Sequence, residues 1–274
     1  MKIIQQTNMT RRQSMGYVLQ AASGEVLVID SGHIGNDCEL ERLITSVGGH
    51  VDLWLITHPH IDHYAALIEL FVGNTKVTFD KIGSTFLSDE WARSLKSASE
   101  TKELLYWNSY LPNFGEKLFE IKAGQSFDVG SMHVEILTAA NPELTFNPLN
   151  NQSCAIRVTE GDFKMLFLGD MGVEAGRKLL ASGHDLHADG VQMAHHGQEG
   201  VEEEVYRAIA PTYAFWPTPI WLWVNSHSRL VVPDSANFQT PETIEWMRRL
   251  KTVNVVSFTH STLFDTETRE ISAY

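Results

Sequence analysis

The sequence predicts an α/β protein of the α+β type, with two β-sheets packed face to face and helices on the outside. Three observations lead there. Short apolar runs of strand length recur along all 274 residues. Segments with a one-sided helical pattern alternate with them, most regularly in the second half. No internal repeat, low-complexity tract or Pro/Gly/Ser-rich linker divides the chain, so residues 1–274 are expected to form one domain.

Tyr17–Gln20 and Glu25–Ile29 read as strands joined by the turn at Ser23-Gly24. Asp37 can cap a helix to about Val47, which Gly48-Gly49 stops. Leu53–Ile56 is a short apolar run that fits a buried strand, and a helix is expected from Ile61–Asp62 to about Phe71. Two strands near Lys76–Phe79 and Gly83–Phe86 precede one long amphipathic helix from Asp89 to about Tyr110, ended by Pro112. Strands follow at Glu116–Ile121, His133–Leu137, Ala155–Val158 and Lys164–Leu168. Helices at Glu174–Ser182, Glu202–Ile209 and Pro241–Leu250 then alternate with strands at Gly190–Met193, Thr212–Phe215, Val253–Phe258 and Arg269–Ile271.

The apolar fraction of 43% is ordinary, and a chain of this length can bury a substantial core. A net charge of −13 disfavours a long duplex or an anionic lipid surface as partner, because a broad acidic surface repels phosphates. It leaves a small anionic substrate open, since bound metal can invert the charge inside one pocket. Cys38 and Cys154 are two free thiols of a reducing compartment rather than a disulfide framework. The N-terminal stretch lacks the apolar core of a signal peptide, and no run reaches the ~18 apolar residues of a membrane span. A cytoplasmic protein with no membrane partner is the expectation.

The strongest chemical signal is Thr57-His58-Pro59-His60-Ile61-Asp62-His63, placed after a buried strand and opening a helix. Imidazole and carboxylate are ligands for zinc, manganese or iron. His58 and His60, two apart on an extended loop, can converge on one ion; Asp62 and His63 at a helix start can face a second. Two such ions lie ~3.5–4 Å apart in binuclear hydrolases.

With these residues the sequence resembles the metallo-β-lactamase superfamily, whose signature is His-x-His-x-Asp-His. The resemblance implies a four-layer αββα sandwich and assigns further positions. Asp30, ending Val26–Ile29, would support the signature loop without binding metal. Asp170, after Lys164–Leu168 and Gly169, would bridge two metals. Val191–Ala194 leads to two candidates for the last ligand: His195, nearer the strand end, is the expected one, with His196 behind it or against the substrate. Many members carry another His before the bridging Asp. Here the interval holds only His133, in a strand pattern, and the expected region reads Asn150-Asn151-Gln152-Ser153-Cys154. That departure, with Gly169-Asp170 and His195-His196-Gly197, resembles the metallo-β-lactamase-like domains of the ComEC competence type. The first metal site would then hold His58, His60 and Asp170, with Asn151 nearby.

The resemblance implies a metallo-hydrolase that uses a metal-activated water. Two divalent ions are expected, zinc first, with manganese or iron open. The ComEC branch implies a phosphodiester substrate, small or a short strand; a lactone or carboxylic ester, or a degenerate metal-binding protein, is the alternative. His260 could act as an acid or substrate contact beside Asp62 and Asp170; His227 and His33 are weaker candidates, and His50, His184 and His187 read as surface residues. Phe215–Trp223 holds three tryptophans and two prolines, either a substrate platform or core packing. Specificity is expected from Trp91–Tyr110 and Trp216–Ser228.

Overall fold

The computed structural model describes residues 1–227, 232, 233 and 235–274; Ser228 of the expected specificity segment lies outside them. Two sheets carry the chain. The first has the order β15 (Ile271–Ala273), β14 (Thr262–Asp265), β1 (Lys2–Gln5), β2 (Gly16–Gln20), β3 (Val26–Asp30), β4 (His50–Leu55), β5 (Thr78–Ser84) and β6 (Leu118–Glu120). The second runs β13 (Val253–Val256), β12 (Tyr213–Trp216), β11 (Gly190–Gln192), β10 (Phe163–Phe167), β9 (Ala155–Glu160), β8 (Met132–Thr138) and β7 (Ser126–Val129). β3 through β6 are parallel, as are β10 through β13, and the remaining neighbours are antiparallel.

Strand alternation builds the layers. Leu27 and Ile29 of β3, with Leu53 and Leu55 of β4, face inward onto Val134, Ile156, Phe167 and Phe215 of the other sheet. The intervening Val28, Trp54 and Ile56 face outward, under α1 (Asp37–Ser46), α2 (Ile61–Val72) and Trp107 of α4 (Ala98–Tyr110). On the far side Leu166, Val191 and Ala214 pack under α5 (Val173–Ala181), α6 (Glu203–Ile209) and α7 (Thr240–Leu250). The result is the expected four-layer αββα sandwich. Each large apolar side chain in these layers contributes roughly 1.5–3 kcal/mol of burial.

Two expected elements differ. The helix from Asp89 to Tyr110 is two helices, α3 (Asp89–Ser94) and α4, broken at Leu95, which is extended with φ −64° and ψ 142°. Ser97 starts the second helix by accepting from the Glu100 amide at 3.3 Å. A Ser followed three residues later by Glu is the sequence mark of a new helix start. The two strands expected around Lys76–Phe86 are the single β5, because Gly83 continues the strand rather than turning it: a Cβ there would sit 2.6 Å from the Phe119 ring. β1, β7 and β14 are four-residue strands whose short apolar content falls below what periodicity can resolve. No helix among the described residues is long and apolar enough to cross a membrane.

Candidate metal centre

Parallel strands deliver side chains at their carboxyl ends, and both sheets open their parallel halves onto the same edge. Asp30 ends β3, the His58–His63 segment follows β4, Asp170 follows β10, and His196 follows β11.

Asp30 is fully buried and adopts a left-handed φ of 58°. Its Oδ1 accepts from the Thr57 amide at 2.7 Å, and its Oδ2 from the Thr57 hydroxyl at 2.8 Å and His63 Nδ1 at 2.8 Å. With its hydroxyl proton given to Asp30, Thr57 Oγ1 accepts from His58 Nδ1 at 3.2 Å. His196 Nδ1 donates to the Pro217 carbonyl at 2.8 Å. Each ring is thus held by one nitrogen and presents the other, Nε2, inward.

Two groups of potential ligand atoms result: His58, His60 and Asp170, and Asp62, His63, Asp170 and His196. Asp170 belongs to both. In the first, His58 Nε2 lies 2.9 Å from His60 Nδ1 and 3.8 Å from Asp170 Oδ2. In the second, Asp170 Oδ2 is 3.3 Å from His63 Nε2 and 3.4 Å from His196 Nε2, while Asp62 Oδ2 is 3.0 Å from His196 Nε2. His63 Nε2, His196 Nε2 and Asp170 Oδ1 are all buried without a hydrogen-bond partner of good geometry. Orphaned buried donors and acceptors are costly, and three converging on one space fit a divalent ion there.

The charges agree. Burial opposes protonation of His63, but Asp170, Asp30 and Asp62 outweigh it and raise its pKa well above the ordinary value. His196 is likewise penalised by burial yet pushed up to about 10 by Asp170 and Asp62. Burial would raise Asp170 and Asp62, but the neighbouring imidazolium charges of His63 and His196 hold both well below the usual range. In the metal-free protein these carboxylates therefore favour the protonated form of both rings.

Three expected placements change. His196, not His195, joins the ligand cluster. His195 Nδ1 donates to the Glu199 carbonyl at 2.7 Å, and its Nε2 is occupied by Asn150 Nδ2 at 3.2 Å and Gln198 Nε2 at 3.1 Å. Both histidines are left-handed, φ 50° and 55°, and this coil turns the second ring rather than the first into the cluster. Gly197 completes the coil at φ 80°; a Cβ there would lie 2.5 Å from the Trp216 ring. Asn151 does not approach the metal atoms. Its Oδ1 accepts from the Gly172 and Ala175 amides at 3.1 and 3.2 Å, capping the start of α5. Asn150 is the amide on the site side. His260 is exposed in the turn between β13 and β14, its Nδ1 against Thr259 Oγ1 at 3.0 Å, outside the cleft lining.

Other parts of the site carry little signal in the sequence. Gln192 Oε1 accepts from the Leu168 and Gly169 amides, both at 2.8 Å, and its Nε2 donates to the carbonyls of Gly169 and Met193. This buried amide staples the strand ends that carry Asp170 and His196. Gly169, at φ 55°, must be glycine because a Cβ would meet Ser153 Oγ at 2.8 Å and Thr57 Oγ1 at 2.9 Å. Trp216 and Trp223 pack ring to ring at 5.0 Å under the His196 coil, and Trp221 Nε1 donates to the Arg11 carbonyl at 3.1 Å. The aromatic segment is therefore core packing that also anchors the loop bearing Arg12. A cleft of about 360 Å³ opens above the cluster, lined in part by Arg12, Gln13, His33, Glu100 and Glu103. His133 is exposed and paired with Asp128 at 2.7 Å, as its strand position suggests.

Residues 40–197, more than half the chain, match the model of the beta-lactamase superfamily domain. No curated protein matches the chain. Among solved structures, the metallo-beta-lactamase fold protein YhfI from Bacillus subtilis is similar at 13% identity and TM-score 0.55, covering 93% of this chain and 97% of that one. A variant of the CmlA beta-hydroxylase is similar at 11% identity and TM-score 0.57; the match spans 96% of this chain but only 53% of that protein. These likenesses concern the fold. With the family match and a His/Asp cluster able to bind metal, the chain belongs to the beta-lactamase superfamily and carries its metallo-β-lactamase fold.

Proposed function

We propose that the protein is a binuclear metallo-hydrolase acting on a phosphodiester or related ester of a small or short anionic substrate. The observation that carries the reading is Asp170, one buried carboxylate shared by two adjoining groups of His and Asp ligands. His58, His60 and Asp170 would hold one ion, and Asp62, His63, Asp170 and His196 the other. The imidazole and carboxylate set suits zinc first, and also manganese or iron. Bound there, two divalent ions supply Lewis acidity and bring a water to ionise near neutral pH.

The chain's own groups do the rest. Asp62 reaches the cleft and, with Asp170, presents carboxylate oxygens that orient an attacking water. The Asp30 bonds to Thr57 and His63 keep the rings from turning as charge changes. Arg12 is the Lys/Arg side chain lining the cleft, and it makes no ion pair with a carboxylate among the described residues. A guanidinium at the mouth of an otherwise acidic pocket suits a non-bridging phosphoryl oxygen better than a neutral ester. The resemblance of Asn150–Ser153, Gly169-Asp170 and His195–Gly197 to ComEC-type domains supports phosphodiester chemistry independently. The net charge of −13 favours a small substrate over a long duplex. The free thiols, Cys38 exposed and Cys154 buried, suit a reducing cytoplasm.

The test is elemental analysis of purified protein together with bis-p-nitrophenyl phosphate turnover before and after chelation. About two equivalents of metal and chelator-sensitive turnover are expected. No turnover after zinc or manganese is restored would overturn the phosphodiester reading. One equivalent or none would overturn the binuclear one and favour a degenerate site, because the first group offers only three ligands.

A further inference from the structure

Beside the metal cleft lies a second cavity of about 570 Å³. Half of its lining residues are apolar, among them Trp91 and Leu95 from α3 and the segment after it and Leu144, Phe146 and Pro148 from the loop after β8, and the polar half includes Lys96. Glu100, in the first turn of α4, lines both this chamber and the cleft, and its Oε1 stands 3.9 Å from His60 Nε2. The chamber therefore adjoins the site, with Glu100 on the border of both.

Its shape is built rather than incidental. Trp91 Nε1 donates to the Pro142 carbonyl at 3.0 Å, tying α3 to the opposite loop. Asn151 Nδ2 donates to the Phe146 carbonyl at 2.8 Å, fixing the other wall, while Gln152 holds Asn141 and Pro148. Yet the Phe146 side chain is 71% exposed, a large apolar group held toward solvent with its backbone pinned. An isolated exposed ring needs no explanation, but one that lines a cavity of ligand size together with Trp91 and Leu95 of another wall does. The break between α3 and α4, which places Leu95 in extended conformation, opens this space.

We infer that this chamber binds the apolar arm, alkyl or aryl, of the substrate whose ester is cleaved at the adjoining metal cluster. The occupant is a substrate arm rather than a protein partner because the cavity is of ligand size and borders the cleft at Glu100, whose Oε1 stands 3.9 Å from His60 Nε2. The inference rests on the proposed phosphodiester reading for the anionic head only. The natural substrate class is then an amphiphilic phosphate ester, with its head at Arg12 and the ligand cluster and its arm between Trp91 and Phe146.

The experiment is calorimetric binding of methyl, butyl and octyl phosphate to the full chain, metal-free and zinc-loaded, followed by turnover of the matching alkyl p-nitrophenyl phosphates. Affinity is expected to rise about tenfold from methyl to butyl and further to octyl; full burial of three methylenes would give more, but the chamber is open on the Phe146 side. Phe146→Asp and Leu95→Asp should each flatten that dependence. Phe86→Asp, on an exposed residue outside the chamber, should leave it intact. If affinity does not depend on chain length, or Phe86→Asp flattens it equally, the chamber assignment is overturned whatever the turnover. If binding rises with chain length but no diester is cleaved, the arm site stands and the phosphodiester reading falls.

Discussion

His63 Nδ1 donates to Asp30 Oδ2 at 2.8 Å, joining residues 33 positions apart, both fully buried. The bond leaves His63 Nε2 facing Asp170 Oδ2 at 3.3 Å. One carboxylate thereby sets both the tautomer and the direction of a potential ligand in the first turn of α2.

Replacing Asp30 should act through that link. Asp30→Asn keeps the shape but cannot accept as an anion from Thr57 and His63, and metal affinity should fall about 10–100-fold. Asp30→Ala should also cost about 1–3 kcal/mol of metal-free stability, because the buried Thr57 amide loses its acceptor. Metal titration and urea unfolding separate the effects. Unchanged zinc affinity in both variants would refute the supporting role.

The paired histidines make opposite predictions. His196→Ala should remove about one equivalent of metal, because it deletes a ligand from the second group. His195→Ala should retain both equivalents, since its ring nitrogens are already engaged by Glu199, Asn150 and Gln198. Elemental analysis of the two proteins decides it; the reverse pattern would restore His195 as the ligand.

Metal binding should strengthen with pH. His196 in the metal-free protein is pushed up to about 10, so its paired, protonated form contributes stability fully below the unfolded value of about 6.5 and loses it as pH rises toward 10. His63 is raised in the same direction. A divalent ion must displace these protons, so zinc affinity should rise by up to about tenfold per pH unit for each proton displaced. Calorimetric titrations between pH 6.5 and 8.5, in buffers of differing ionisation enthalpy, count the protons. Affinity independent of pH would show that the histidines are neutral before metal arrives.

Asn151→Ala should destabilise without demetallating. Removing the acceptor of the Gly172 and Ala175 amides takes away the cap of α5, worth about 1–2 kcal/mol. Thermal unfolding should register that loss while metal content holds. Loss of metal with unchanged stability would return Asn151 to the first ligand group.

Much of the fold and most of the cluster were legible along the chain. His58, His60, Asp62 and His63 lie within one strand-loop-helix unit, so their convergence follows from local backbone geometry. Asp30 and Asp170 end apolar runs, and a strand end in a parallel sheet points its next residues toward the same edge. The sandwich itself follows from strand periodicity, because a sheet with one apolar face must bury it.

What only the tertiary structure decided is where long-range hydrogen bonds and left-handed turns send individual side chains. Whether His195 or His196 faces inward depends on two residues coiled at positive φ over the Trp216 ring, a conformation that nothing local requires. Asn150 and Asn151 are adjacent and chemically identical; one faces His195 and the other caps α5 because of what each meets across the fold. Gln192, a polar residue in a strand pattern, becomes the staple between two strand ends only when β10 and β11 are side by side. Arg12 reaches the cleft because Trp221, far along the chain, holds its loop by the Arg11 carbonyl. Periodicity and motif spacing report what a segment does by itself. The direction of a side chain at a turn is set by its distant partners.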